Sequence, residues 1–231
     1  GSISGALLHR DPSCVINRSL GGASSCGTTM QNAINTARSK NAVVVVAAGN
    51  SNTDASQSSP ANCSGVITVA ATGKDGGKAY YSNYGNVVDL AAPGGSMNTG
   101  TANGILSTLN TGTQLASADT YSYYQGTSMA TPHVAGVAAL MLAANPALTP
   151  DQVESALKTS ARSFPQACNG CGAGLLDANA AVQAALGTQQ PPPAPTDPYA
   201  VLKDTLVKQR DLWRAQNIVN YSYVLEQKTG T

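Results

Sequence analysis

Charge is scarce in this chain. Lys, Arg, Asp and Glu make up 11% of 231 residues and balance to a formal net charge of +1. No basic block stands out, which argues against nucleic acid or an anionic membrane as a partner, because clustered Lys and Arg hold both. Aromatic rings are few, with one Phe and one Trp, and histidine occurs twice, as His9 and His133. Long hydrophobic runs are also missing. The stretch Met129 to Ala144 carries no Asp, Glu, Lys or Arg, but Pro132, His133 and Gly136 interrupt it, and it falls short of the ~18 apolar residues of a bilayer span. It is read as a buried helix instead. Val134, Val137, Ala138, Met141 and Leu142 recur at helical spacing, while Ala135, Ala139 and Ala143 leave the other faces small enough for packing on all sides.

The little charge there is falls unevenly. Residues 1–187 hold 8 basic and 8 acidic side chains, whereas residues 199–231 hold 8 charges in 33 positions together with Trp213. Between them lies TQQPPPAPTDP, residues 188–198, read as a stiff extended linker and a domain boundary. In the tail, Leu202, Leu206, Gln209 and Trp213 share a helical face and NYSYVLEQ alternates like a strand; a helix and one strand cannot bury an apolar face alone, so residues 199–231 read as the start of an accessory domain. No signal peptide is visible, and GSISGALL reads as the middle of a protein.

Five cysteines, Cys14, Cys26, Cys63, Cys168 and Cys171, are scattered through residues 1–187. CNGC at 168–171 has zinc-ligand spacing but no second half, so disulfides fit better than zinc. With a charge-poor body rich in Ser, Thr, Asn and Gly, that points to a secreted protein. Cys26 opens a helix and Cys63 precedes a neighbouring strand, so they are expected to pair near one end of a sheet; CNGC can close on itself around Asn-Gly. Cys14 is left to bond a cysteine elsewhere.

Strands and helices alternate along residues 1–187. CVINRSL reads as a strand and Thr28 to Lys40 as a helix with Met30, Ala33, Ile34 and Ala37 on one face. AVVVVAA, 42–48, reads as a strand buried on both sides, as in a central parallel strand. Further strands are expected at 66–72, 87–94 and 104–109. Thr149 offers an N-cap with Pro at the first helical position and Gln at the capping-box site, and Asp177 caps a last helix through Leu186. The fold class is therefore α/β, a parallel sheet with helices on both faces.

Ligands of such sheets bind beyond the carboxyl ends of the strands. Gly21 and Gly22 follow one strand, and Gly49 and Asn50 follow another. After 104–109 and a polar loop rich in Tyr, Ser and Gly come Gly126, Thr127 and Ser128, at the start of the apolar helix, where the unpaired N–H groups and positive dipole end of the first turn favour negative charge. By itself Ser128 reads as an N-cap and Asn50 as a turn residue.

GTSMATPHVAG resembles the nucleophile segment of the subtilisin-like serine proteases. VINRSLGG, VVVAAGN, SNYGNVVDLAAPGG and GAGLLDA resemble other segments of that family in the same order, over nearly all of residues 14–186. The resemblance implies a subtilisin-like sheet and peptide-bond hydrolysis, with Ser128 as nucleophile and Asn50 donating to the oxyanion together with the Ser128 N–H. Thr127 stands behind the oxyanion donors. Ser19, Leu20 and Gly21 would pair with an extended polypeptide substrate as an added strand, and Ala47, Ala48 and Gly49 would form one wall of the pocket before the scissile bond, suited to a large apolar side chain. Arg18 departs from the family, which has an apolar residue there, and an Arg unable to reach solvent or a carboxylate would destabilise its strand.

The family's triad runs Asp, His, Ser along the chain. Nothing before Ser128 resembles its Asp or His segments: His9 sits in LLHRDP, and His133 lies on the helix of Ser128 at a spacing that points it away. The chain is thus expected to be the carboxyl-terminal portion of the peptidase domain, partnered by a missing amino-terminal half and inactive alone. No cofactor is needed for the chemistry; by resemblance, a structural calcium could sit on backbone carbonyls near Ala61, Cys63 and Val66. Two other readings stand beside this one: a non-catalytic relative that only binds peptides, and a structural module in which Ser128 is a cap.

Overall fold

The structure is a computed structural model that describes residues 14–187. Its centre is a four-stranded parallel sheet in the order β1-β3-β5-β6, made of β1 (Val15–Arg18), β3 (Val43–Ala47), β5 (Ile67–Thr72) and β6 (Leu90–Pro93). Every residue of β3 and β5 is buried, as expected for strands covered on both faces.

Alternation along the strands divides the core. Val43, Val45, Ile67, Val69 and Leu90 point to one side, where they pack with α2 (Thr127–Ala144), α3 (Pro150–Ser160) and α4 (Ala178–Gly187). Ile16, Val44 and Val46 point to the other, against Ile34 and Ala37 of α1 (Thr28–Ser39), with Met30 and Ala33 partly buried beside them. Helices therefore cover both faces. Thr149 caps α3 in a complete capping box with Gln152, and Asp177 Oδ1 accepts from Ala180 N at 2.9 Å to start α4. Cys26–Cys63 and Cys168–Cys171 are disulfides, and Cys14 is free and half-buried. The linker, the tail and His9 lie outside the described residues.

Three expectations change. The segment 104–109 forms β7 (Ile105–Asn110), which stands outside the parallel sheet in an antiparallel hairpin with β8 (Asp119–Tyr124). β8 forms where the sequence predicts a polar loop. DTYSYY is rich in aromatic and β-branched residues, and the hairpin is partly exposed, so it lacks the continuous apolar run by which the other strands are recognised. The side chain of Asn110 closes the loop, accepting from Gly112 N at 2.9 Å and Ser117 N at 2.6 Å. A second short ladder joins β2 (Gly22–Ala23) to β4 (Ser58–Ser59).

The third change concerns α2. Its length and composition would suit a membrane span, yet it packs on β1, β3, β5 and β6. Packing is not on all sides, however: Pro132, His133, Gly136, Ala139, Leu140 and Ala143 are exposed. Small residues add little apolar surface, so an uncharged face need not be a covered one. Arg18 lies on β1 beside Val46. Its Nε is buried with no hydrogen-bond partner, but the residue as a whole is only half-buried, so the fully enclosed, unpaired charge that would destabilise the strand is not formed.

Candidate active site

Ser128 is placed by the turn that starts α2. Gly126 has φ 152°, a conformation in which a β-carbon is disfavoured, and its N–H donates to Gly94 O at 2.9 Å. The Tyr81 hydroxyl lies 2.9 and 2.7 Å from the carbonyls of Gly94 and Gly95 and holds the same turn from beneath. Burial pushes the Tyr81 pKa well above the ordinary phenol range, so the hydroxyl stays protonated. Gly126 is the N-cap of the helix. Ser128 is not a cap: its Oγ donates to Ser19 O at 3.0 Å.

Pro132 explains the return contact. It lacks the N–H that would bond the carbonyl four residues back, so the Ser128 carbonyl is freed from the helix ladder. Ser19 Oγ donates to it at 2.9 Å. Two reciprocal bonds thus tie the end of β1 to the first turn of α2. At that turn the Ser128 N–H has no acceptor within the helix.

Asn50 enters from the end of β3. Its Oδ1 accepts from Thr127 N and from Thr127 Oγ1, both at 2.8 Å. An amide nitrogen cannot accept, so these two donors fix which end of the side chain faces them. The Nδ2 group is left to donate elsewhere. Thr127 is fully buried, and its Oγ1 also accepts from Gly49 N at 3.2 Å.

A cleft of about 590 Å³ gathers Ser19, Leu20, Gly21, Ala47, Gly49, Asn50, Thr127 and Ser128. Ala48 alone among the sequence-assigned residues is not on its wall; its side chain is fully buried in the cluster of Ala55, Ala61 and Ala70. Leu20 is 64% exposed at the rim. Among the described residues, none of the lining side chains is ionisable.

Sequence reasoning missed Asn83. It is 1% exposed, and its Oδ1 accepts from Ser51 N at 2.9 Å and Thr53 N at 3.1 Å. Its Nδ2 donates to Ala48 O at 2.9 Å and Ser58 Oγ at 3.1 Å. One amide therefore clamps the loop that carries Asn50. It also explains Gly49, at φ 109°, where a β-carbon would lie 2.3 Å from Asn83 Nδ2. The only signal in the sequence was its place inside SNYGNVVDLAAPGG.

His133 is not turned toward Ser128. Its Nδ1 lies 2.8 Å from Met129 O on its own helix. Among the described residues there is no group of three or more His, Cys, Asp or Glu suited to a metal.

The family model for the subtilase family, peptidase S8, matches residues 3–183. The chain is 54% identical over 188 residues to an extracellular protease of Xanthomonas campestris, covering 80% of this chain and 31% of that protein. It is 41% identical over 206 residues to an extracellular basic protease of Dichelobacter nodosus, covering 86% and 33%. A solved protease structure from Pseudoalteromonas arctica superposes with a TM-score of 0.75 at 56% identity, over 80% of this chain and 55% of that one. The chain thus spans about a third of the length of the two curated relatives. A family match over most of the chain, a parallel sheet flanked by helices, and Ser128 and Asn50 meeting in one cleft agree: the chain belongs to the subtilase family.

Proposed function

We propose that this chain is the nucleophile-bearing portion of a secreted serine endopeptidase that cuts extended polypeptides. The carrying observation is the junction of β3 and α2, where Thr127 fixes the Asn50 amide beside the first turn of the helix that holds Ser128. In the reaction the Ser128 hydroxyl attacks the peptide carbonyl. The oxygen that becomes negative is held by Asn50 Nδ2 and the Ser128 N–H, neutral donors that need not reorganise or titrate. Ser19, Leu20 and Gly21 align the substrate backbone, and the uncharged wall of Ala47 and Gly49 suits a large apolar side chain.

A serine hydroxyl is a weak nucleophile without a base. The proposal therefore includes an upstream segment supplying the triad Asp and His; the greater length of the relatives supports it, as does the position of His133. Secretion is supported by the extracellular proteases among the relatives and by the two disulfides. The domain plan has residues 1–187 as peptidase, 188–198 as linker and 199–231 as the start of an accessory domain. A structural calcium on carbonyls near Ala61, Cys63 and Val66 belongs to the same proposal: such oxygens suit a hard cation, though the Ala61 carbonyl already accepts from Thr68 Oγ1 at 3.0 Å.

A fluorophosphonate probe tests the reading. In the full-length protein it should label Ser128, and Ser128→Ala should abolish labelling and casein hydrolysis; this chain alone should stay unlabelled. Casein hydrolysis by the full-length Ser128→Ala variant would overturn the proposal. A full-length protein that binds peptide but neither reacts with the probe nor cuts would favour the non-catalytic alternative.

A further inference from the structure

A second cleft opens at the carboxyl end of the same sheet. It encloses about 430 Å³ and shares no lining residue with the Ser128 cleft. Thr72, the last residue of β5, and Pro93, the last of β6, both line it, at the end of a parallel sheet where ligands bind. Its size and mixed lining suit a small organic ligand.

The polar groups define the ligand. Thr72 is 1% exposed, and its Oγ1 is buried with no hydrogen-bond partner. Such an orphan is destabilising, and the neighbouring positions of β5 are Val69, Ala70 and Ala71, so nothing in the strand itself calls for a hydroxyl. Lys74 and Arg162, also lining the cleft, are exposed and form no ion pair among the described residues. They face one acid, Asp75, whose Oδ1 is occupied by Gly77 N at 3.1 Å. The balance favours an anion. Pro93, Ile105 and Leu175 supply apolar surface beside it.

We propose that this cleft binds a small ligand carrying one carboxylate next to an apolar group. Thr72 Oγ1 donates to the carboxylate, Arg162 supplies the pairing charge, and Pro93, Ile105 and Leu175 cover the apolar body. Two sources share that chemistry: a free apolar amino acid and the carboxyl end of a cleaved peptide. The second source rests on the peptidase reading; the site itself does not.

Isothermal titration of the full-length protein tests this, with Ser128→Ala present so that no peptide is consumed. The probes are N-acetyl-leucine, its amide, free leucine and the peptide Ala-Ala-Ala-Leu. N-acetyl-leucine should bind at least about tenfold tighter than its amide, and Thr72→Val and Arg162→Gln should each weaken the acid about tenfold, the loss of one hydrogen bond to a charged group. Thr72→Val should also raise the thermal midpoint, because the unpaired hydroxyl is gone, which separates lost binding from lost folding. With Ser128 intact, Thr72→Val should leave turnover of a short chromogenic peptide unchanged, so that failure here is distinct from failure of the peptidase reading. Tighter binding of the peptide assigns a product end, and tighter binding of free leucine assigns an amino acid. Equal binding of acid and amide, acid binding untouched by both variants, or no detectable binding would each overturn the proposal.

Discussion

Thr127→Val isolates one hydrogen bond behind the proposed oxyanion site. Valine keeps the branched shape in a fully buried position and leaves the backbone bond from Thr127 N to Asn50 Oδ1 in place. It removes the hydroxyl that donates to Asn50 Oδ1 at 2.8 Å and accepts from Gly49 N at 3.2 Å. The first loss leaves Asn50 held by one donor instead of two. A neutral hydrogen bond contributes about 1–1.5 kcal/mol net, so if that rigidity serves the transition state, kcat should fall about five- to tenfold with little change in KM. Removing the donor itself should cost more: the factor known from a subtilisin for the loss of one such Asn is about 10²–10³, and Asn50→Ala should fall in that range. The second loss strands the Gly49 N–H and should cost about 1–3 kcal/mol of stability. Thr127→Ser, which keeps both bonds and drops a methyl, should restore kcat to within about twofold while losing roughly 1 kcal/mol of packing. Steady-state kinetics of the full-length protein on a chromogenic peptide and thermal melts read the two effects separately. Wild-type kcat in Thr127→Val, or an equal fall in Thr127→Ser, would refute the argument that this hydroxyl positions Asn50.

Asn83→Ala should be the most destabilising single change near the cleft. It strands Ser51 N, Thr53 N and Ala48 O, so the unfolding free energy from urea titration should drop by several kcal/mol, about 1–3 kcal/mol for each buried group; a loss under about 1 kcal/mol would show that water replaces the clamp. Replacing Cys26 and Cys63 by Ser should cost more than replacing Cys168 and Cys171, because the sequence separations are 37 and 3, which chain entropy converts to about 4 and about 2 kcal/mol; the reverse order in thermal melts would contradict it. Lys158 is raised above the ordinary lysine pKa, chiefly by its hydrogen bond to Asp89. Its contribution is therefore full below about pH 10.4 and lost as pH rises through the higher folded value, so Lys158→Met should melt lower at neutral pH and lack that alkaline loss; an unchanged alkaline slope would sink this assignment. Limited proteolysis should cut at the flanks of the proline stretch, near Thr188 or Tyr199, and masses clustered inside 30–180 would contradict the proposed boundary.

The elements most legible in the sequence are those whose pattern has one physical cause. AVVVVAA reads as a doubly buried strand, and Thr149-Pro150 with Gln152 as a helix start; both are found. β8 was not legible because, although its Tyr and Thr favour a strand, it is half-exposed and has no apolar run, and its turn depends on one side chain, Asn110, whose role appears only once both strands are paired. The exposed side of α2 was misread for the converse reason, since Ala and Gly are compatible with either burial or solvent. At the site, motif resemblance pointed to Ser128 and Asn50, but not to the bonds that orient them. Asn83 lies 33 positions from Asn50 in the chain and acts through backbone groups, so neither composition nor periodicity reports it.

Among the described residues, the cleft around Ser128 carries no side chain that titrates. That neutrality suits the charge that forms in acyl transfer, because Asn50 and a backbone N–H keep their protons at any pH the protein survives, and a negative oxygen meets the same donors throughout. It also fixes where pH dependence can enter. The Ser128 hydroxyl donates to the Ser19 carbonyl, an acceptor that can orient a proton but not remove it at neutral pH. Proton removal requires a side chain that changes charge near neutrality, and His133, the histidine among the described residues, is bonded to its own helix. A neutral-pH midpoint in turnover would therefore belong to a group outside the described residues. Such a group, meeting Ser128 Oγ, would have to replace the Ser19 carbonyl as partner of the hydroxyl hydrogen, since that hydrogen can serve one acceptor well at a time.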